Sequence, residues 1–318
     1  MPTLLGCALP EATLAIWSRL LVTDTEPFYL IEGDYHMLPA DHGAVPRSEF
    51  ALPGADEGLR DSYRLWNVDR KATWAWAIPA ERWHRLSFRF QNRLNVRQWE
   101  LGRGNIYDSD WVLERIEPYT EVICIGSAEI ETPEGLKVLL RAQYWWDVLP
   151  ERGRWAWLSQ IVQDEALADC QSGRLDALDW QRLEGRFPAI QALAGSFVER
   201  SGPNCFAAAL APLVDPALAE ETASRWLTEA ELNGALTDLG YRSERVLGEV
   251  QGRDLAPGTV VGWADSSGSL QHAFTYLGEG LVLNKQSQCW WHPRQIVPFR
   301  VAWDNWTADG LAPILFQK

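Results

Sequence analysis

Lysine is almost missing from this sequence of 318 residues. Four lysines stand beside twenty-five arginines, and the 29 basic residues are outnumbered by 43 acidic ones, giving a formal net charge of −14. A nucleic-acid groove needs Lys and Arg clustered against phosphates, and an anionic bilayer surface needs a polybasic patch. Neither cluster is found, so nucleic acid and membrane are excluded as expected partners. No apolar run approaches the ~18 residues that a membrane span requires. The amino-terminal stretch MPTLLGCALPEATLAIW lacks the basic n-region of a secretory leader. Leu4-Leu5-Gly6-Cys7 has the form of a lipid-attachment box, but too few residues precede Cys7 for an apolar leader core. These absences lead to the expectation of a cytoplasmic protein, with secretion only by a non-classical route.

Cysteine is sparse as well. Cys7, Cys124, Cys170, Cys205 and Cys289 are odd in number and widely spaced, a pattern of reduced thiols and not of a disulfide frame. The common cofactor and catalytic signatures are also missing: there is no P-loop, no G-x-S-x-G elbow and no H-E-x-x-H. Gly102-Arg103-Gly104 lacks the third glycine of a dinucleotide site. Cys289-Trp290-Trp291-His292 has metal-like spacing, yet no second pair completes the roughly four ligands zinc needs. Asp34-Tyr35-His36 with His42 lacks helical spacing and reads as turn structure. No cofactor and no metal are expected.

What is present is an ordinary globular balance, 47% hydrophobic and 23% charged, in a chain long enough for about two domains. Residues 1–195 read as a mixed α/β domain, rich in tryptophan and of unassigned role. Tyr119–Gly126 and Leu136–Trp145 are strand candidates around a Thr132-Pro133-Glu134-Gly135 turn. Two W-A-W triplets, Trp74/Trp76 and Trp155/Trp157, would each face one side of a strand and could stack on sugar rings; large core residues are the plainer interpretation. Residues 196–318 read as α+β, with helices first and a strand meander after Tyr241. Thr228-Glu229-Ala230-Glu231 is a capping box, and the helix it opens stops at Gly240.

The second region carries the candidate chemistry. Cys205 falls at the start of a small-residue helix (Cys205-Phe-Ala-Ala-Ala-Leu), where free N–H groups and the helix dipole stabilise a thiolate and lower its pKa. A thiol nucleophile wants an imidazole base, and His272 opens a strand. If the hairpin loop is Leu277-Gly278-Glu279, Tyr276 pairs with Gly280 and His272 lies opposite Asn284. The Asn284 amide oxygen would then accept Nδ1–H of His272 and fix its tautomer.

A helix-start Cys, then a strand His, then a polar residue on the next strand resembles the papain-like order. The segment His272-Ala-Phe-Thr-Tyr-Leu-Gly-Glu-Gly-Leu-Val-Leu-Asn284 resembles the H-V-G-I-Y-L-G-x-G-x-x-I-H segment of NlpC-type cysteine peptidases. The likeness covers about residues 200–290. Where that family has D-C-S-G, this chain has Asn204-Cys205-Phe206-Ala207; where it has P-G-D, this chain has Pro257-Gly258-Thr259. The resemblance implies a papain-like fold for residues 196–318 and a Cys205–His272–Asn284 triad acting on a peptide or amide substrate, including one derived from cell wall. It implies an oxyanion hole with Cys205 N–H as one donor and Asn204 or Gln271 in support. Two alternatives accompany it. One is an inactive papain-like fold serving as a binding protein. The other is a transglutaminase-like acyl transferase, to whose H-A-W strand His272-Ala273-Phe274 is similar, although no Asp follows until Asp304.

Overall fold

The computed structural model describes residues 3–21, 25–50, 68–103, 106–116, 127–132, 135–141, 146, 149–246, 248–308 and 310–318. The chain is a mixed α+β protein, and among the described residues its sheets are antiparallel. It divides into two compact units, one of residues 14–160 and one of residues 1–13 with 161–318. The boundary expected near 195 therefore lies at 160/161, and the first thirteen residues belong with the carboxy-terminal unit. They do so because β1 (Thr3–Leu4) and β2 (Cys7–Ala8) form a small hairpin whose turn carbonyl, Leu5 O, accepts the Cys170 N–H at 2.7 Å.

The 14–160 unit holds two three-stranded sheets. In the first, β3 (Thr25–Leu30) and β4 (Val45–Pro46) flank β5 (Trp74–Pro79). The β5 W-A-W triplet alternates as expected, but Trp76 is buried among Phe28, Leu30, Ile78, Trp83 and Leu94, so it is a core residue. The second triplet is not in a strand: Trp155 and Trp157 lie on the helix Glu151–Asp164, where residues two apart do not share a face. In the second sheet β6 (Ile106–Asp108) and β7 (Ser127–Thr132) flank β8 (Gly135–Arg141). β7 and β8 pair antiparallel with Thr132 opposite Gly135. The strand expected over 119–126 falls outside the described residues.

The 161–318 region is built on one six-stranded antiparallel sheet, ordered β13-β12-β11-β10-β14-β9. Its strands are β9 (Arg242–Arg245), β10 (Val260–Ala264), β11 (Leu270–Gly278), β12 (Leu281–Asn284), β13 (Gln295–Pro298) and β14 (Ala312–Gln317). Two layers of side chains cover it. On one face the helix Cys205–Leu210 packs its alanines among Val260, Leu270, Ala273 and Phe316. Three alanines in a row allow that close approach, and the Thr275 hydroxyl on β11 donates to Ala209 O. On the other face the helix Phe299–Ala308 lays Phe299, Ala302 and Trp303 over Val261, Trp263, Phe274 and Tyr276. Burying both faces explains why β10 to β12 read as near-continuous apolar runs. The capping box closes as expected: Glu231 N–H donates to Thr228 Oγ1 at 3.2 Å and Thr228 N–H to Glu231 Oε2 at 2.7 Å.

The β11–β12 turn differs from the expectation. It is the two-residue Glu279-Gly280 turn, with φ of 52° and 76°, the left-handed pair of a type I′ hairpin. A bulge between Tyr276 and Gly278 then sets Thr275↔Leu283 and Tyr276↔Val282. This register is two positions away from one that pairs Tyr276 with Gly280. Because side chains alternate with period two, a shift of two keeps every residue on its face. His272 and Asn284 therefore remain on one face, as diagonal and not as direct partners.

Candidate functional site

Asn204 caps the Cys205 helix. Its Oδ1 accepts the Ala207 N–H at 3.1 Å and the Leu227 N–H at 3.3 Å, and its Nδ2 donates to Leu227 O at 2.7 Å. The Asn204 amide is committed to holding the helix start in place and to Leu227. Cys205 is the first residue of that helix and is 7% exposed. Burial is the largest influence on its thiol and pushes it up to about 11. The main-chain N–H of Ala273, the Lys285 charge and the N–H groups of Phe206 and Cys205 itself oppose this without overcoming it. The lowered thiol expected from helix-start placement is thus corrected. A cap-site dipole is outweighed when the sulfur is removed from water.

His272 is fully buried at the start of β11. Its Nε2 meets Asn284 Oδ1 at 2.8 Å, and its ring stacks on Trp306 with centroids 4.0 Å apart. Because Oδ1 only accepts, Nε2 carries the proton and Nδ1 presents a lone pair. This reverses the expected tautomer, in which Nδ1–H faced Asn284. His272 Nδ1 is buried without a hydrogen-bond partner, so no such bond joins it to the Cys205 thiol. Burial lowers His272 to about 3, against the opposing bond from Asn284. The resting pair is a neutral thiol and a neutral imidazole.

The side chains of His272 and Ala273 leave β11 on opposite faces. Ala273 packs with Cys205 in the helix-side layer, whereas His272 lies in the layer of Trp263, at 6.1 Å, and Trp306. The thiol therefore approaches the main chain one residue beyond the imidazole. Gln271 is not brought to the site. It is exposed, and its Nε2 donates to Asp265 Oδ2 at 2.9 Å and to Ser269 O at 3.2 Å.

Sequence reasoning missed the residue beside the site with the largest electrostatic consequence, Lys285. Fully buried, its Nζ donates to Ser287 O at 2.6 Å and Cys289 O at 2.8 Å. Burial lowers it to about 7, while the Cys289 and Cys205 thiols oppose that shift. Its scarcity was the available signal: one of four lysines stands at the end of an apolar strand. His292 was considered only as a metal ligand. It instead bonds Ser287 Oγ through Nδ1 at 2.7 Å, and burial lowers it to about 3. The stretch after β12 is also tied over the turn before Cys205, since Gly202 N–H donates to Gln288 O at 3.0 Å and Trp290 N–H to Ser201 Oγ at 3.2 Å.

In the other unit, Asp34, His36 and His42 hold local structure. Asp34 pairs with Arg97 at 2.6 Å, His36 lies 3.2 Å from Glu32, and His42 Nδ1 accepts the Ala44 N–H at 2.7 Å. No protein-family model, curated protein or solved structure matches this chain. Among the described residues, no helix is long and apolar enough to cross a membrane.

Proposed function

We propose that residues 161–318 form a thiol-dependent amide hydrolase of papain-like type, in which Cys205 is the nucleophile, His272 the base and Asn284 the group that orients the base. The observation that carries this reading is the 2.8 Å His272 Nε2–Asn284 Oδ1 bond, which leaves Nδ1 as an unprotonated, unpartnered nitrogen beside the strand segment that Cys205 touches. An imidazole held by an amide in one tautomer is ready to accept a proton through its other nitrogen. On this reading the Cys205 thiol passes its proton to Nδ1 as sulfur attacks the carbonyl carbon of a peptide or amide. The Cys205 N–H faces the developing oxyanion. Collapse of the tetrahedral species breaks the C–N bond, and His272 returns the proton to the leaving amine. Water then cleaves the thioester; an amine in its place would make the same site an acyl transferase. The thiol is almost sealed in this state and the imidazole lies in the opposite side-chain layer, so the transfer requires a rearrangement around β11 that exposes the sulfur and brings the two together.

Three observations favour a second reading, a non-catalytic binding protein with this topology. Cys205 is 7% exposed, its thiol is raised to about 11, and His272 lies in the opposite side-chain layer. The deciding experiment is alkylation by iodoacetamide as a function of pH, mapped cysteine by cysteine by mass spectrometry, in wild type and His272→Ala. If Cys205 reacts below pH 7 and loses that reactivity without His272, the hydrolase reading stands. If Cys205 is inert, or titrates identically in both proteins, the binding reading replaces it.

A further inference from the structure

Two other thiols meet in the carboxy-terminal unit. Cys7 lies on β2, and Cys170 precedes the single 3-10 turn Gln171–Arg174. Both converge on one oxygen: Leu5 O accepts the Cys170 N–H at 2.7 Å and the Cys7 S–H at 3.8 Å. The hairpin is pressed tightly onto Cys170. Its turn residues, Leu5 and Gly6, are both left-handed, with φ of 54° and 72°, and a Cβ on Gly6 would lie 2.8 Å from Cys170 O. Ser172 Oγ sits 3.1 Å from Cys170 Sγ. The neighbouring Cys7 thiol is the largest influence that lowers Cys170, with the Ser172 hydroxyl and the N–H groups of Ser172 and Ile296 adding to it against burial. These groups bring Cys170 down to about 6, while the contact between the two thiols raises Cys7. The pair is 1% and 3% exposed and shares a cluster with Leu183, Phe187 and Ile190.

We propose that Cys7 and Cys170 form a reversible dithiol–disulfide site, oxidised by a peroxide, that fastens residues 1–13 to the rest of their unit. The burial selects the oxidant, because a bulky disulfide donor has no approach to either sulfur. The Cys170 thiolate attacks one peroxide oxygen; an S–O bond forms, the O–O bond breaks and hydroxide leaves. The Cys7 sulfur then attacks the Cys170 sulfenic acid. The S–S bond forms, the S–O bond breaks, and the departing oxygen leaves as water with the Cys7 proton. In sum two thiols lose two hydrogens and one hydrogen peroxide becomes two waters. The closed loop contains the whole of residues 14–160. The site is independent of any activity at Cys205.

The test uses the full chain, reduced, desalted and exposed to stoichiometric hydrogen peroxide at pH 7, then quenched with iodoacetamide and mapped without reductant. The expected product is a peptide cross-linked through Cys7 and Cys170, short by two hydrogens and reopened by dithiothreitol, with Cys205 and Cys289 recovered as alkylated thiols. In Cys7→Ser the same treatment should stop at a Cys170 sulfenic acid that dimedone captures. Thermal unfolding should shift upward on oxidation in wild type and not in Cys7→Ser. Recovery of both cysteines as free thiols, or of Cys170 as a sulfinic acid without a cross-link, overturns the proposal. If Cys7→Ser does not fold, the wild-type map alone decides.

Discussion

Cys205 and Cys170 occupy similar positions and behave in opposite ways. Each sits at the amino end of a short helical turn, and each is almost removed from solvent, at 7% and 3%. Yet one thiol is raised to about 11 and the other lowered to about 6. The difference lies in dedicated donors. Cys170 has a neighbouring thiol and a serine hydroxyl 3.1 Å away, whereas Cys205 has main-chain N–H groups and a lysine already spent on two carbonyls. Position at a helix start is therefore a weak predictor of a thiolate. What lowers a buried thiol is a set of hydrogen bonds aimed at the sulfur.

Four measurements would break or sharpen this contrast. The largest effect concerns turnover of a chromogenic amide. Cys205→Ala should lower kcat/KM by about 10³-fold or more, while Cys170→Ser should leave it unchanged; the reverse pattern would exchange the roles of the two thiols. Next is stability against pH. Cys170 is lowered in the folded state, so its contribution is complete above the unfolded value of 9.0 and is lost as pH falls through about 6. Urea unfolding of wild type relative to Cys170→Ser should show a stability difference that shrinks by about 3 kcal/mol across that window. Third, Asn284→Ala leaves a buried imidazole N–H without its acceptor and should cost about 1–3 kcal/mol in urea unfolding. It should disturb Cys205 reactivity and spare Cys170. The smallest effect belongs to Lys285→Met. Because Lys285 is lowered to about 7 and is neutral where Cys205 ionises, its loss should move the midpoint of Cys205 alkylation by less than about one pH unit and leave the Cys170 midpoint where it is.

Much of the carboxy-terminal architecture was legible because its signals are local. Thr228 with Glu231, Gly240 after the helix, and the apolar strands around Glu279-Gly280 each specify their structure within a few residues. The His272–Asn284 association was legible too, although by parity and not by the assumed loop. A turn one residue shorter with one bulged residue restores the same face. The states of the groups were not legible. Nothing near Cys205 in sequence announces that Ala273 and Leu270 will bury it. Nothing near Cys170 announces Cys7, because their approach depends on a chain return over more than half of the sequence. The same return explains the misplaced domain boundary, since composition changes little where residues 161–195 begin.

That return has a consequence for synthesis. The β1–β2 hairpin is synthesised before Cys170 and the surface it presses on, which follow only after residues 14–160 have been made. At about 5–20 residues per second the hairpin stays without its docking partner for on the order of ten to thirty seconds. During that interval the intervening unit is free to fold by itself before the hairpin can be captured. A fragment that begins at residue 161 would lack this piece, and a synthetic peptide of residues 1–13 added to it should bind and restore what the fragment lost.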